Sequence, residues 1–209
     1  MPAPTICGVD FDNTLVTYNE LLTTIARERG WVGAGPIETK RAIRDRIRRL
    51  PDGEIEWQKC QALLYGTRIG EARLSDGVGT FVRLCRQHGV EVYIISHKTE
   101  FSRYDTSGTN LRSAAMNWMT ANGFFEPGGL GLDPRRVFFA ATRAEKVARI
   151  RELVCTHFID DLEETFLEEA FPLATARILY EPGRQIPAPH GVVLMRTWQE
   201  ICDYLFRAG

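Results

Sequence analysis

The 209-residue sequence predicts an α/β protein: a parallel sheet flanked by helices, with a small helical insert after the first strand. Three observations predict it. Short apolar runs suited to strands buried on both faces recur at 5–9, 91–95, 137–140 and 157–159. Helical periodicity separates the later runs, the rhythm of crossover connections in a parallel sheet. Between the first run and the second, from about 17 to 75, only helical patterns appear.

In chain order, 18–29 carries Leu21, Leu22, Ile25 and Ala26 at helical spacing and stops at Gly30. A basic helix is expected over 36–50, with Pro36 at its first position and Ile43, Ile47 and Leu50 on one stripe. Pro51-Asp52-Gly53 breaks it, and a third helix is expected from 54 to about 65. Ser75 or Asp76 can cap a helix that ends at His88-Gly89. The second strand, 91–95, leads into a polar loop over 99–109 and a helix with Leu111, Ala114, Ala115, Trp118 and Met119. A third strand over 137–140, a helix over 144–154 and a fourth strand over 157–159 follow. Further strands are expected at 177–180 and 192–195, with Thr197 capping a final helix over 198–206.

Composition bounds the function. Hydrophobic residues make up 44% and charged residues 25%, with a formal net charge of -1, so no global field argues for a nucleic-acid partner. The cysteines Cys7, Cys60, Cys85, Cys155 and Cys202 are odd in number and form no CxxC pair. They are expected as buried free thiols in a reducing compartment. No apolar run approaches the roughly 20 residues of a membrane span. Residues 1–4 lack a basic n-region. The expectation is a cytoplasmic protein, monomer or homodimer, with no membrane or nucleic-acid partner.

Chemistry gathers at the strand ends. Asp10 and Asp12 end the first apolar run, followed by Asn13 and Thr14. At the carboxyl edge of a parallel sheet they stand where such sheets bind ligands. An extended chain sends both carboxylates to one side, and so close a pair calls for a cation or a shared proton. Ser96 ends the second run, and its hydroxyl can donate to a phosphate oxygen there, although a serine at a strand end is also an ordinary cap. Lys146 follows the third run at the start of a helix and can reach back to neutralise a carboxylate or phosphate. Lys98 competes for that role but follows Ser96 closely. Asp160-Asp161 closes the fourth run, and adjacent carboxylates destabilise each other without a cation. Hard oxygen ligands at a sheet edge suit Mg²⁺.

Asp10-x-Asp12-x-Thr14, Ser96, Lys146 and Asp160-Asp161, in that order, resemble motifs I to IV of the haloacid dehalogenase (HAD) superfamily. The resemblance implies a Rossmann-like catalytic core, 1–16 and 75–209, and a C1-type helical cap, 17–74. It implies a Mg²⁺-dependent phosphatase that forms an aspartyl-phosphate. Asp10 is then the nucleophile and Asp12 the general acid and base, with Ser96 and Lys146 completing the catalytic set. Mg²⁺ falls to Asp10, the Asp12 main-chain carbonyl, Asp160 and Asp161. Phe11, Thr14, Ser96, His97, Lys98, Arg143 and Lys146 are the expected substrate contacts, with Thr14 also hydrogen bonded to fix the turn. Two alternatives stay open: a phosphotransferase or phosphomutase on the same core, and a catalytically idle binding protein. A dehalogenase fits less well, because its chemistry does not require the second motif-I Asp.

The insert carries Lys40, Arg41, Arg44, Arg46, Arg48 and Arg49 against Asp45, either a solvated helix face or a recruiting surface for an anionic substrate. Because the insert enters the chain directly behind Asp10 and Asp12, it is expected to cover a pocket that admits a small phosphorylated metabolite, a sugar or nucleotide phosphate.

Overall fold

The computed structural model describes residues 4–206, so the expectation about the first residues falls, apart from Pro4, outside the described residues. In chain order the helices are α1 (Asn19–Glu28), α2 (Lys40–Ile47), α3 (Gly53–Ala62), α4 (Val78–Gln87), α5 (Leu111–Ala121), α6 (Arg143–Glu152), α7 (Glu163–Phe166) and α8 (Trp198–Phe206). Six strands build the main sheet: β1 (Ile6–Val9), β2 (Glu91–His97), β3 (Val137–Ala140), β4 (His157–Asp160), β5 (Ala176–Tyr180) and β6 (Val192–Met195). The chain divides into two compact units, one of residues 1–15, 74–98 and 123–209, the other of 16–73 and 99–122.

The first unit holds the sheet. Its order is β3-β2-β1-β4-β5-β6, and each neighbouring pair is parallel. The order reverses between β1 and β4, which makes their carboxyl ends the natural ligand crevice. Consecutive residues Ile94 and Ile95, Phe158 and Ile159, and Ile178 and Leu179 are all buried, so both faces of the sheet are covered. One face packs Ile95, Phe158 and Leu179 against Val147 and Ile150 of α6. On the other, Trp198 of α8 meets Phe81 of α4 and Tyr180 of β5. Gly8 is required in β1, because a Cβ there would stand 2.6 Å from the Phe158 ring.

Helix ends follow local chemistry. Thr142 Oγ1 accepts from the Glu145 amide, and Glu145 Oε2 accepts in return from the Ala141 amide, which fixes the start of α6. Thr197 and Glu200 do the same for α8, as the sequence leads one to expect. The start of α4 differs from expectation. Gly77, at φ +95°, takes the cap position because a Cβ there would meet that of Trp198 at 2.7 Å, and neither Ser75 nor Asp76 caps the helix through its side chain.

The second unit is helical. Tyr18 meets Tyr65 edge to face. The chain after α3 loosens into a π-helical turn over Leu63–Thr67 and a 3₁₀ turn over Ile69–Glu71. Helix α5 packs on both turns: Gly66 leaves room for Leu111, and Trp118 Nε1 donates to the Ala72 carbonyl. That packing groups 99–122 with the helical unit, where the sequence reading has the core continuous from 75. Helix α2 begins at Lys40 rather than Pro36, because Thr39 caps it through the Ala42 amide. Two-residue strands stand at Val16–Thr17 and Arg73–Leu74, where none was expected. All five cysteines are buried and free. No helix among the described residues is long and apolar enough to cross a membrane.

Candidate active site

β1 ends at Val9, and the Asp10 amide donates to the Ile159 carbonyl at 2.9 Å, so the β1–β4 ladder carries Asp10 to the carboxyl edge. Beyond it Asn13 adopts φ +61°, which a short polar side chain tolerates, and the Leu15 amide closes the turn on the Phe11 carbonyl. Thr14 does not fix this turn as expected: its buried hydroxyl has no hydrogen-bond partner among the described residues, and backbone bonding closes the turn instead.

Lys146 lies in the first turn of α6 with its side chain 2% exposed. Its Nζ donates to Asp10 Oδ1 at 2.6 Å and to Asp160 Oδ2 at 2.7 Å, and stands 5.3 Å from the Phe158 ring centre. Burial alone would lower its affinity for the proton, but the two carboxylates outweigh burial and hold the ammonium well above the ordinary lysine range. Burial pushes the Asp10 carboxyl up to about 7; Lys146 opposes that rise, and the charges of Asp160 and Asp12 add to it.

Asp160 is fully buried at the end of β4, and its Oδ1 accepts from the Leu162 amide. Carboxylate oxygens of Asp10, Asp160 and half-buried Asp161 come within 4.8 Å of one another. Three hard anionic donors at that spacing, in a site holding more carboxylates than ammoniums, fit a divalent cation such as Mg²⁺. The Asp12 carboxylate is not one of this cluster.

Ser96 is buried on β2 beside β1, and its hydroxyl has no hydrogen-bond partner among the described residues, an orphan at a site where a phosphate oxygen could accept. His97 is exposed, its Nε2 3.1 Å from the Ala141 carbonyl oxygen, and burial of part of its ring lowers its pKa. Arg143 pairs with Glu168 at 3.2 Å. Phe11 is fully buried, so its side chain belongs to the core. Lys98, expected to contact substrate, is 4% exposed and places Nζ 2.7 Å from Asp12 Oδ2, 5.6 Å from the Phe11 ring centre. The sequence carried the signal for this pair: the period of two that aligns Asp10 with Asp12 also aligns Ser96 with Lys98. His157, at the opposite end of the sheet, bonds Thr156 Oγ1 and plays no part here.

No protein-family model matches the sequence, and no curated protein matches it significantly. Solved structures do resemble it. A haloacid dehalogenase-like family hydrolase from Streptococcus pneumoniae superposes with a TM-score of 0.61 at 15% identity, over 98% of this chain and 100% of that one. A HAD family hydrolase from Deinococcus radiodurans, with bound phosphate and sodium, gives 0.56 at 15% identity over 100% and 97%. A HAD-hydrolase from Bacillus subtilis bound to magnesium gives 0.56 at 12% identity over 97% and 99%. With its parallel sheet and the carboxylates at the reversal of strand order, the chain has the fold of the HAD superfamily.

Proposed function

We propose that the protein is a Mg²⁺-dependent phosphatase that hydrolyses a small phosphomonoester, a sugar or nucleotide phosphate, through an aspartyl-phosphate at Asp10. The observation that carries this reading is the buried Lys146 bridging Asp10 and Asp160, residues delivered by two neighbouring strand ends. Phosphoryl transfer asks a protein for positioning and charge neutralisation more than for covalent chemistry, and this arrangement supplies both.

Asp10 attacks phosphorus through a carboxylate oxygen, and the electron pair of the breaking P–O bond passes to the leaving oxygen. Lys146 counters charge on the nucleophile and on the phosphoryl oxygens. Ser96 donates its unpartnered hydroxyl to a phosphoryl oxygen. Asp12 gives a proton to the leaving oxygen and later takes one from the water that hydrolyses the aspartyl-phosphate. His97 and Arg143 would contact the rest of the substrate. Asp10, Asp160, Asp161 and the Asp12 main-chain carbonyl would hold Mg²⁺, which when bound neutralises carboxylate and phosphoryl charge and keeps Asp10 ionised near neutral pH.

The magnesium and phosphate in the Bacillus and Deinococcus proteins support the same pair of ligands here. One further neighbour is described as a dehalogenase; a second carboxylate at Asp12 favours ester cleavage, where a leaving oxygen needs a proton. Assignment of the helical unit as a cap belongs to this proposal, as does a cytoplasmic setting, which suits five unpaired thiols. The test is phosphate release with and without Mg²⁺ from p-nitrophenyl phosphate, sugar phosphates, nucleoside monophosphates, a phosphopeptide and an end-phosphorylated oligonucleotide. Release from small esters with Mg²⁺ is expected. Preference for either polymer over every small ester contradicts the substrate class, and no release from any of them contradicts the proposal.

A further inference from the structure

A buried lysine is costly unless paired, and Lys98 is buried to the same degree as Lys146. Its backbone amide donates to the Ala140 carbonyl at 2.8 Å, which continues the β2–β3 ladder past the strand end and fixes where the side chain starts. From there Nζ reaches Asp12 Oδ2 at 2.7 Å and packs by the Phe11 ring. Lys146 is the ammonium that bridges Asp10 and Asp160. The two lysines therefore divide the site: one attends the nucleophile and the other attends the second carboxylate of the same loop.

We propose that Lys98 is a positioning residue that holds the Asp12 side chain in the orientation from which it meets the leaving oxygen. This inference rests on the phosphatase reading. During transfer to Asp10 the Asp10 O–P bond forms and the P–O bond to the leaving group breaks. The leaving oxygen takes the proton from Asp12, and the O–H bond electrons stay on the carboxyl group. Asp12 enters the step in its protonated form and leaves it as the carboxylate, with Oδ2 held against Lys98 Nζ throughout. The Phe11 ring and the ladder bond hold Lys98 ready, so no rearrangement is needed at the moment of reaction.

The consequence is a signature in leaving groups. p-Nitrophenolate departs without a proton, whereas an alkoxide does not. In wild-type protein, kcat/KM, which reports transfer to Asp10, should depend weakly on leaving-group acidity across a series of substituted phenyl phosphates ended by an alkyl phosphate. Lys98→Met should lower kcat/KM by about tenfold on p-nitrophenyl phosphate and by roughly a thousandfold on the alkyl ester, within the range of general acid catalysis. In an Asp12→Asn background the same substitution should leave the dependence unchanged, because Lys98 acts through Asp12. Circular dichroism and thermal melts accompany each variant; if Lys98→Met does not fold, Lys98→Gln carries the test in the same direction. An equal loss on every ester, or a steepening that persists in Asp12→Asn, overturns the inference while wild-type turnover keeps the phosphatase reading. No turnover by wild-type protein overturns both.

Discussion

Lys146 and Asp10 lie 136 residues apart in the chain and 2.6 Å apart in the structure. Two neighbouring strands and one helix cap produce that contact, and the same ammonium holds Asp160. Replacing Lys146 by Met leaves two buried carboxylates facing each other. The variant should lose turnover and about 3–5 kcal/mol of stability near neutral pH, the usual cost of stranding a buried charge. Part of the loss should return toward pH 5, where the stranded carboxyls take up protons. Urea unfolding at the two pH values measures this; equal stability of wild type and variant at pH 7 would contradict the ion-pair account.

The carboxylate cluster of Asp10, Asp160 and Asp161 predicts metal dependence. EDTA should remove activity and Mg²⁺ restore it. Asp160→Ala should raise the Mg²⁺ concentration for half-maximal activity by at least about tenfold, as loss of a carboxylate ligand does. Full turnover in EDTA would sink the metal assignment.

Helix α6 ends in a Schellman turn with an ill-suited residue. The Cys155 amide bonds the Ile150 carbonyl and the Val154 amide bonds that of Arg151, which puts Val154 at φ +52°. A β-branched residue in that region is strained by about 1–2 kcal/mol, and Val154 is 71% exposed, so little packing is lost with it. Val154→Gly should stabilise by about 1 kcal/mol after the entropy cost of glycine, raising Tm by roughly 2–4 °C. A lower Tm would show that the side chain matters in a way its exposure does not reveal.

Burial sets the behaviour of the thiols. It pushes Cys60 and Cys85 up to about 12 and Cys155 to about 11. The folded protein thus keeps protons that the unfolded chain releases above about pH 8.5. Their contribution to stability is intact below that pH and declines as pH rises toward 11, by about 1.4 kcal/mol per pH unit for each thiol. Denaturant midpoints from pH 8 to 10.5 read the decline. In the same range a thiol reagent should label the native protein slowly and the unfolded protein at all five cysteines; prompt labelling of native protein would contradict their burial.

The sheet and the residues at its edge were legible because apolar runs mark the strands, and those of β1, β2 and β4 lead directly into polar residues at the carboxyl edge. Asp10 directly follows β1, and Ser96, Lys146 and Asp160 lie in β2, α6 and β4, as the runs before them indicate. What could not be read depends on contacts between distant segments. Trp118 and Leu111 draw α5 onto the π-helical turn, and nothing local in 99–122 announces it. Glu38, Asp45 and Glu54 pair with Arg46, Arg44 and Arg48, so much of the charge on α2 is answered within the helical unit. That pairing favours the solvated-face reading of α2, and it needs the turns on both sides of the helix to be known. The Lys98–Asp12 pair lay within reach of strand alternation, since Ser96 and Lys98 share one side of β2 and its extension.

Covalent capture at Asp10 tests the central claim most directly. Protein turning over a small phosphomonoester with Mg²⁺ is quenched in acid, digested and mapped by mass spectrometry, with Asp12→Asn included to slow hydrolysis of the intermediate. A phosphoryl group on Asp10, absent from Asp10→Asn, which should fold normally and be inactive, is the result this account predicts. Phosphate release with no label on the protein, a label on another residue, or activity of Asp10→Asn within tenfold of wild type would contradict it.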